Sequence, residues 1–389
     1  MTLADKAAIV GIGATTFSKN SGRSELQLAC ESIITALTDA GLEPDDVDGL
    51  ATYTVDNNSE IDVFRSLGGR DLKFFSRINY GGGGACAPIQ QAAMAVATGV
   101  AETVVCYRAM NERSQYRFGS GIDYVSQLAS SDAALGAVHS SIGLRTPADS
   151  LALLMRRYMH EYGATPEDFG TIAVAARKHA ATNPNAWFYG KPLTLDEYMA
   201  SRMIVDPFRL FDCCQESDGA VAIVVTSAAR ARDLKQTPVL IRAAAQGNCD
   251  DMIAMYPFYR PDLTWASESA LVGRQLYAMS GLTPADMDVA ILYDHFGPSV
   301  LMSLEAYGFC KHGEARDFIK GGTIEVGGAL PINTHGGQVG EAYIHGMNGV
   351  AEAVRQLRGQ AVNQVPGARN ILVTAGSMVP TSGAILGLA

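Results

Sequence analysis

The sequence predicts an α/β protein that consists of two duplicated halves. Residues 29–54 read ACESIITALTDAGLEPDDVDGLATYT and residues 269–294 read SALVGRQLYAMSGLTPADMDVAILYD, an ungapped match at an offset of 240. Each copy has a helical pattern, a Gly-Leu stop, a proline-containing turn and an apolar strand. The identical pairs are Gly41 with Gly281, Leu42 with Leu282, Pro44 with Pro284, Asp46 with Asp286, and Asp48 with Asp288. Alternating strands and helices predict mainly parallel sheets with helices on both faces.

The repeat continues on both sides of these segments. The strand-like residues 7–13 (AAIVGIG) are echoed by residues 239–247 (VLIRAAAQG). A predicted helix at 85–98, followed by the strand TVVCY, is echoed by a predicted helix at 347–358, followed by the strand NILVT at 370–374. Because the flanks match as well, chance similarity is a poor explanation, and we interpret the chain as two α/β units packed together.

The repeat divides the chain into two halves and an insertion. The N-terminal half is predicted at residues 1–235 and the C-terminal half at residues 236–389. An insertion at about 111–205, rich in Tyr, Arg, Ser and Met, interrupts the first half and has helical stretches at 148–162 and 166–182. A long insertion in an α/β unit is often a lid or a binding loop, and oligomer packing is the other interpretation. We expect it to lie over the mouth of the active site.

Composition excludes several classes of protein. The chain has 389 residues, of which 48% are hydrophobic and 18% charged, and its formal net charge is −10. It is typical of a globular protein and lacks the concentrated basic face that a nucleic-acid partner requires. No apolar run approaches the ~18 residues of a membrane span, and the N-terminus has no signal-peptide pattern, so we expect no membrane partner and a cytoplasmic location. The seven cysteines form no CxxC pair, so no metal site is predicted.

Four motifs carry a family resemblance. They are Asp206–Cys214 (DPFRLFDCC), Ser217–Ala220 (SDGA), Tyr293–Phe296 (YDHF) and Asn333–Gly349 (NTHGGQVGEAYIHGMNG). On these motifs the chain resembles the thiolase superfamily over nearly its whole length, and within it the sterol-carrier-protein-type thiolases and the lipid-transfer-protein branch. The resemblance implies a thiolase-like five-layered αβαβα sandwich of two duplicated halves, with a loop domain inserted in the first. The repeat and the insertion found above agree with that fold.

The nucleophilic cysteine of a thiolase is absent. The resemblance places it at a helix N-terminus, where its pKa is lowered, near Gly82 in the run Gly81–Gly84. Cys86 lies about one helical turn further on. We interpret Cys86 as a small buried hydrophobe, with a nucleophile after a register shift as the alternative. We predict that Gly82 and Gly83 bind substrate through bare backbone N–H groups at the helix start, and close helix packing is the other explanation.

Both polar partners of the thiolase site are tyrosines in this chain. By the same resemblance, Tyr343 replaces the catalytic histidine of the glycine-rich loop, and Tyr293 replaces the Asn or His that helps to form an oxyanion hole. The second thiolase cysteine, in a C-x-G pattern near the C-terminus, is missing from the corresponding run Thr374–Met378 (TAGSM). Acyl transfer through a cysteine thioester is therefore unsupported.

An aldolase that acts on a β-hydroxyacyl-CoA uses the same enolate as a thiolase and needs no acyl-enzyme. It requires a base for the β-hydroxyl, donors for the enolate oxygen and an acid for the α-carbon. We predict Tyr343 as the base and Tyr293 as the enolate donor or acid, with His295 and His345 as assisting catalytic groups. Since tyrosine has an ordinary pKa near 10, a cation or hydrogen bonds to the phenolate are expected to lower it. The structural alternative is a pair of buried tyrosines that only satisfy hydrogen bonds.

The glycine-rich loop supplies the remaining predicted substrate contacts, which are His335, Gly336 and Gly337. We expect Tyr293 and Tyr343 to converge on one pocket below the Gly81–Gly84 turn, and Cys86 to face the packed core.

The resemblance also implies a function and partners. The lipid-transfer-protein branch includes bacterial aldolases that cleave 17-hydroxy-20-carboxyl-CoA steroid side chains to propionyl-CoA and a 17-ketosteroid, and the YDHF and NTHGGQxGEAYIHG motifs look like that subgroup. Its members work with a small OB-fold partner that carries a zinc ribbon. We therefore expect a steroid acyl-CoA as substrate, no cofactor in this chain, zinc in the partner, and a homodimeric core within a heterotetramer.

Two other functions fit part of the pattern. A thiolase or acyltransferase would use Cys86, whereas a non-catalytic acyl-CoA-binding subunit of a complex would need no nucleophile. Loss of both cysteines fits the aldolase and the binding subunit equally, but two tyrosines at paired catalytic positions favour the aldolase. Dinucleotide redox chemistry is a poor fit, because Gly11-Ile-Gly13 follows a strand without the third glycine of the fingerprint.

Overall fold

Strands and helices alternate along the chain. The structure, a computed structural model, describes residues 3–54, 57–115, 117, 119, 131–249, 254–255 and 257–388. The strands of this part are β1 (Ala7–Ala14), β2 (Gly49–Tyr53), β3 (Phe74–Ile78), β4 (Thr103–Asn111), β5 (Met203–Val205), β6 (Phe208–Arg209), β7 (Asp218–Ser227), β8 (Val239–Gly247), β9 (Val289–Ile291), β10 (Asn370–Thr374) and β11 (Thr381–Leu388). Its helices are α1 (Glu25–Ala40), α2 (Glu60–Leu67), α3 (Ala87–Ala97), α4 (Ser131–Ser141), α5 (Pro147–Tyr162), α6 (Pro166–Thr182), α7 (Leu195–Ala200), α8 (Ala228–Ala231), α9 (Ser267–Ser280), α10 (Ser299–Ala306), α11 (Ala315–Phe318), α12 (Gly337–Gly340) and α13 (Met347–Leu357).

The main sheet is duplicated about its centre. Nine strands of the described chain lie in the order β3-β2-β4-β7-β1-β8-β11-β10-β9. Outward from the centre, β1-β7-β4-β2 on one side corresponds to β8-β11-β10-β9 on the other. The outer pairs β2–β4 and β9–β10 are parallel, and the inner pairs of both halves are antiparallel. The two halves meet where β1 and β8 pair over a short antiparallel stretch.

The prediction of mainly parallel sheets is wrong for the inner strands. Strands β10 and β11 are joined by the short connection 375–380, which is too short for the crossover that parallel neighbours need. In the first half, β7 returns antiparallel beside β4 after the insertion. The outer strands of each half are joined by connections that contain helices, and these strands are the parallel ones.

The helix stops and turns predicted from the two copies of the repeat are present in the structure. Helix α1 ends at Gly41 (φ 74°) and helix α9 ends at Gly281 (φ 73°), and both glycines adopt the left-handed conformation that closes a helix. A 3₁₀ turn follows in each half, at Pro44–Asp46 and at Pro284–Asp286. The offset of 240 residues between the two copies therefore joins structurally equivalent elements.

Apolar contacts arrange the chain in five layers. Helix α1 packs on the outer face of β1, β4 and β7. Helix α9 packs in the same way on β8, β10 and β11. Helices α3 and α13 lie between the two halves of the sheet, on the face of each half that is turned away from α1 or α9. They form one shared core, to which Ile9, Ile89, Val225, Val350 and Ile371 contribute. The predicted αβαβα sandwich is confirmed, and its central layer carries the glycine-rich helix start.

The described part of the insertion packs on the 333–349 loop. Asn183, after α6, donates from Nδ2 to the His335 carbonyl at 3.0 Å, and the Trp187 N–H donates to the Glu341 carbonyl at 2.9 Å. Helices α5 and α6 also form an apolar core of their own with α10 and α11. Residues 116, 118 and 120–130 of the predicted insertion lie outside the described residues, so coverage of the site mouth stays a prediction.

Among the helices that the structure describes, none is both long enough and apolar enough to cross a membrane.

Candidate active site

The glycine-rich turn before α3 has no room for a thiolase nucleophile. Residues Gly81–Gly84 form a 3₁₀ turn at the start of the central layer. A Cβ atom on Gly82 would lie 1.9 Å from the Tyr293 hydroxyl oxygen, and one on Gly83 would lie 2.2 Å from the Pro380 carbonyl oxygen. The Tyr293 side chain thus fills the space into which a cysteine at position 82 would project.

The backbone N–H groups of this turn are partly occupied. The Gly81 N–H donates to Thr54 Oγ1 at 3.1 Å, and the Gly83 N–H donates to the Tyr80 carbonyl at 3.1 Å. These two N–H groups therefore have acceptors within the chain, and Gly82 and Gly83 are also closely packed. Substrate contact at Gly82 and Gly83 stays a prediction.

Tyr293 follows β9 and is anchored by its backbone. Its N–H donates to Thr374 Oγ1 at 2.9 Å, so the residue at the start of the TAGSM run holds the backbone of the YDHF motif. Only 5% of Tyr293 is exposed. Since the backbone is fixed and the ring is buried, the hydroxyl has a defined position below the glycine turn.

Tyr343 is held by the segment that precedes β7. Its N–H lies 3.1 Å from the Gln215 carbonyl and 3.2 Å from Ser217 Oγ. The Tyr343 and Tyr293 hydroxyl oxygens are 3.0 Å apart, and the two rings meet edge to face with centroids 6.4 Å apart. The predicted convergence of the two tyrosines is confirmed for their hydroxyls, and Tyr293 lies against Gly82 of the glycine turn, whereas a pocket shared by both tyrosines stays a prediction.

The electrostatics of the pair differ from the expectation. Burial raises the pKa of Tyr293 and of Tyr343 well above the ordinary tyrosine value. Ionisation of Glu112 or Cys214, whose own pKa values burial raises, would raise the pKa of both tyrosines further. Neither tyrosine is therefore a free phenolate at neutral pH, and the predicted lowering of a tyrosine pKa is not found.

Two predicted histidines lie beside the tyrosines. The His295 ring centroid is 5.0 Å from that of Tyr293, and the His345 ring centroid is 5.4 Å from that of Tyr343. Burial lowers the pKa of His295 to about 4, and burial with the neighbouring Arg108 lowers the pKa of His345 well below 6.5. Both rings are neutral at pH 7, so each offers one N–H donor and one acceptor. Their catalytic role stays a prediction.

The H-G-G run of the loop has a packing role. His335 Nε2 lies 3.9 Å from Glu341 Oε2. A Cβ atom on Gly336 would lie 2.6 Å from Ala180 Cβ on α6, and one on Gly337 would lie 2.0 Å from Asp294 Oδ2. His335 also borders a small cavity lined by Ile291, Leu292, Tyr293, Asp294, Gln338, Gly346, Gly349 and Thr374. Substrate contact at His335, Gly336 and Gly337 stays a prediction.

Cys86 is placed as a core residue. It is fully buried, and its Sγ lies 3.7 Å from the Val373 carbonyl oxygen. Burial raises the pKa of the thiol to about 12, so the nucleophilic thiolate is scarcely populated. The expectation that Cys86 faces the packed core is confirmed, and the structure gives no support to a shifted thiolase nucleophile.

Glu112 is a buried acidic residue that the motifs do not reveal. It follows β4 directly, next to the paired residues Asn111 and Asp218, and it is 3% exposed. The sequence holds one signal for it, namely an acidic residue at the carboxyl end of a buried strand, where α/β proteins place ligand sites. Among the described residues no group of three or more His, Cys, Asp and Glu side chains is arranged to hold a metal ion.

The fold and the site define an enzyme of thiolase architecture whose chemistry does not pass through a cysteine. Residues 254–387 match the family described as thiolase C-terminal domain-like. Human mitochondrial 3-ketoacyl-CoA thiolase, at 14% identity and a TM-score of 0.71 over all of this chain and 99% of that one, shares the fold.

Three comparisons define the family more narrowly. A 17-hydroxy-3-oxo-4-pregnene-20-carboxyl-CoA lyase from Mycobacterium tuberculosis is 63% identical over 385 residues, or 99% of this chain and 100% of the relative. A steroid side-chain-cleaving aldolase from Thermomonospora curvata is 62% identical over 98% of this chain and 97% of the relative. The solved structure of an Ltp2-ChsH2(DUF35) aldolase has a TM-score of 0.95 at 60% identity, over 100% of this chain and 99% of that one. The chain belongs to the steroid side-chain aldolases, which are carbon–carbon lyases with the thiolase fold.

Proposed function

We propose that this chain cleaves a 17-hydroxy steroid with a 20-carboxyl-CoA side chain into propionyl-CoA and a 17-ketosteroid. The observation that carries the proposal is the 3.0 Å contact between the Tyr293 and Tyr343 hydroxyls, in the space of the missing thiolase cysteine. Similarity to the lyase whose name gives this substrate class supports it.

The reaction is a retro-aldol cleavage that conserves atoms and protons. The O–H bond of the substrate's β-hydroxyl breaks, and its oxygen becomes the ketone oxygen. The bond between the hydroxyl-bearing carbon and the thioester α-carbon breaks, and its electron pair moves into the thioester enolate. A proton then returns to the α-carbon, so that propionyl-CoA is released without an acyl-enzyme.

The tyrosine pair supplies the proton transfers. Tyr343 takes the β-hydroxyl proton while its own phenolic proton passes to Tyr293, and Tyr293, which hydrogen-bonds the enolate, gives its proton to the α-carbon. The support is positional, because each tyrosine stands where a thiolase keeps a group that serves the same enolate. Burial raises the pKa of Tyr293 and of Tyr343, so neither hydroxyl ionises readily by itself. The proposed transfer therefore depends on the 3.0 Å contact between the two hydroxyls.

The neutral histidines fit a role as hydrogen-bonding groups. A thioester enolate develops negative charge on oxygen, and donors fixed in advance stabilise that charge in a site shielded from water. His295 and His345 lie against the tyrosine rings and offer such donors.

A partner subunit is part of the proposal. The 60% identical solved structure is that of an Ltp2-ChsH2(DUF35) aldolase, and its ChsH2(DUF35) component supports a second subunit for this chain. We propose a small OB-fold partner with a zinc ribbon, bound to a homodimer of this chain in a heterotetramer that works in the cytoplasm. Light scattering of the co-purified proteins tests this assembly, and an active monomer contradicts it.

The test of function is product detection. The chain, purified together with a partner from a neighbouring gene, is mixed with a 17-hydroxy-steroid-20-carboxyl-CoA, and propionyl-CoA and the 17-ketosteroid are followed by mass spectrometry. The matched control substrate lacks the 17-hydroxyl and is expected to give no product, since no aldol bond is present. Absence of propionyl-CoA from the hydroxylated substrate rejects the proposal.

A further inference from the structure

A buried ion pair in the C-terminal half stands where the N-terminal half has an apolar residue. Glu268, in the first turn of α9, is fully buried, and its Oε2 lies 2.7 Å from Nη1 of Arg260, whose side chain is 6% exposed. The offset of 240 places Leu28 of α1 at the equivalent position, and Leu28 is fully buried as well. An apolar residue therefore satisfies the fold at this position. Because burying two charges costs desolvation free energy that an apolar residue does not, the pair indicates a role beyond packing of the helix.

Glu268 holds the short connection 375–380 between β10 and β11. Its Oε1 accepts a hydrogen bond from the Met378 N–H at 2.7 Å. The Met378 carbonyl in turn accepts from the Met255 N–H at 2.7 Å. Met378 has a φ of 64°, in the left-handed region that residues other than glycine rarely adopt. Hydrogen bonds to both of its backbone groups therefore hold Met378 in a conformation that is unfavourable by itself.

The same connection packs against Tyr293. The Gly376 N–H donates to the Gly82 carbonyl at 2.9 Å, and a Cβ atom on Gly376 would lie 3.2 Å from Tyr293 Cε1. Thr374, just before the connection, accepts from the Tyr293 N–H through its Oγ1. Residues 374–376 thus contact both the backbone and the ring of Tyr293, and they bind the glycine turn on which its hydroxyl lies.

We propose that Glu268 is a positioning residue that acts on Tyr293 through the 375–380 connection. Its Oε1 fixes Met378, and the fixed connection keeps the Tyr293 hydroxyl at its 3.0 Å contact with Tyr343. A displacement of about 1 Å in a catalytic group can cost about 10²-fold in rate, so a hydrogen bond that never reaches the substrate still acts on kcat. This inference rests on the proposed retro-aldol function.

The experiment compares two double variants, both without the buried charge pair. Each carries Arg260→Met, because a change at Glu268 alone would leave the Arg260 charge buried without its partner. In the first, Glu268→Gln keeps a side-chain oxygen that can accept the Met378 N–H. In the second, Glu268→Met has nearly the same length and no oxygen. Propionyl-CoA formation by the complex with its partner gives kcat and KM for both, and circular dichroism shows that each is folded at the assay temperature.

The two double variants are expected to differ in kcat. Arg260→Met with Glu268→Gln should stay close to wild type, since the acceptor for Met378 is kept. Arg260→Met with Glu268→Met should lose about 10²-fold in kcat with little change in KM, because Tyr293 is displaced and the substrate contacts are not. A role in stability alone does not separate kcat from KM in a folded enzyme. Leu28→Met puts the same side chain at the equivalent position of the other half, as a volume-conserving change, and should keep wild-type kcat.

Gly376→Ala tests the connection without touching the ion pair. Its methyl group would lie 3.2 Å from Tyr293 Cε1 and 3.2 Å from the Gly82 carbonyl carbon, so the ring or the turn has to shift by a few tenths of an ångström. A shift of that size is expected to lower kcat by about tenfold.

Three outcomes overturn the inference. The first is an equal kcat in the two double variants, which would show that the acceptor for Met378 does not matter to the reaction. The second is a loss that appears in KM rather than in kcat, which would assign Glu268 to substrate binding. The third is wild-type kcat in Gly376→Ala, which decides the matter even when the double variants do not fold. A wild-type complex that forms no propionyl-CoA instead rejects the proposed function.

Discussion

Tyr53 and Tyr293 stand 240 residues apart, at the carboxyl ends of equivalent strands in the two halves of the fold. Both side chains are buried in the same central core. The Tyr53 hydroxyl donates to the His345 carbonyl at 2.8 Å, and its ring lies 5.4 Å from the Arg108 guanidinium carbon. The Tyr293 hydroxyl instead lies 3.0 Å from the Tyr343 hydroxyl.

This difference shows that residue type and position in the fold do not by themselves make a catalytic group. Tyr53 meets a backbone carbonyl, which can only accept, and so it stabilises the loop. Tyr293 meets a second hydroxyl, and either oxygen of that pair can donate or accept. The loop that carries Tyr343 and His345 therefore determines which of the two tyrosines has a hydroxyl partner for the proposed proton transfer.

The two central helices meet at the same tyrosine. A Cβ atom on Gly346, just before α13, would lie 2.9 Å from both Ala85 Cβ and Tyr293 Cε2. Gly346 has a φ of 92°, which other residues rarely adopt. Glycines therefore precede both α3 and α13 where the chain packs against the Tyr293 ring, and that ring has little room to move.

The strongest test of the comparison removes one hydroxyl from the reactive pair. Tyr343→Phe and Tyr293→Phe are each expected to lower kcat by about 10²–10⁴-fold, because each deletes a proton-transfer group and keeps the ring. The measurement is the rate of propionyl-CoA formation by the variant complexes, with circular dichroism to confirm folding.

Cys86→Ser is the control for these two variants, because it alters the sulfur that a shifted thiolase would use. It is expected to keep most of the activity. An inactive Cys86→Ser together with normal turnover by Tyr343→Phe would contradict the aldolase assignment and support the thiolase alternative.

The next test moves Tyr293 without changing it. Gly82→Ala places a methyl group at a position 1.9 Å from the Tyr293 hydroxyl oxygen, and the packed ring cannot withdraw freely. We expect a loss of about 10²-fold in kcat, as for a misplaced catalytic group, and a decrease of about 1–3 kcal/mol in the free energy of unfolding. Denaturant titration and product formation measure the two effects.

Gly297→Ala provides the matched control for that substitution. A Cβ atom on Gly297 would have its nearest neighbour at 3.8 Å, which is ordinary van der Waals contact. Wild-type activity in Gly82→Ala would show that Tyr293 does not need its present position.

The sequence predicted most of the fold because its signals are local and duplicated. Gly-Leu stops and proline turns recur in one register, and helices α3 and α13 lie within two residues of their predicted bounds. The convergence of Tyr293 and Tyr343 was predictable from the two loop motifs. The antiparallel inner strands were missed, because strand direction depends on connection length rather than on the strand's own residues.

The missed parts of the site depend on long-range contacts. Glu112 lies in no motif, and the antiparallel pairing of β4 with β7 brings it next to the segment that holds the Tyr343 backbone. The packing of Gly336 and Gly337 against α6 and Asp294 likewise joins segments far apart in the chain. No local pattern encodes which side chain will face a given glycine.

The smallest expected effect on activity belongs to Tyr53→Phe, the counterpart of Tyr293→Phe in the other half. It removes the donor to the buried His345 carbonyl, which leaves that acceptor without this bond and is expected to lower the free energy of unfolding by about 1–2 kcal/mol. The activity should fall less than about tenfold, because the Tyr293–Tyr343 contact is unchanged. Denaturant titration and kcat measured on the same preparation test both statements. A loss of kcat as large as that of Tyr293→Phe, at near wild-type stability, would mean that both tyrosines of the duplicated pair take part in proton transfer.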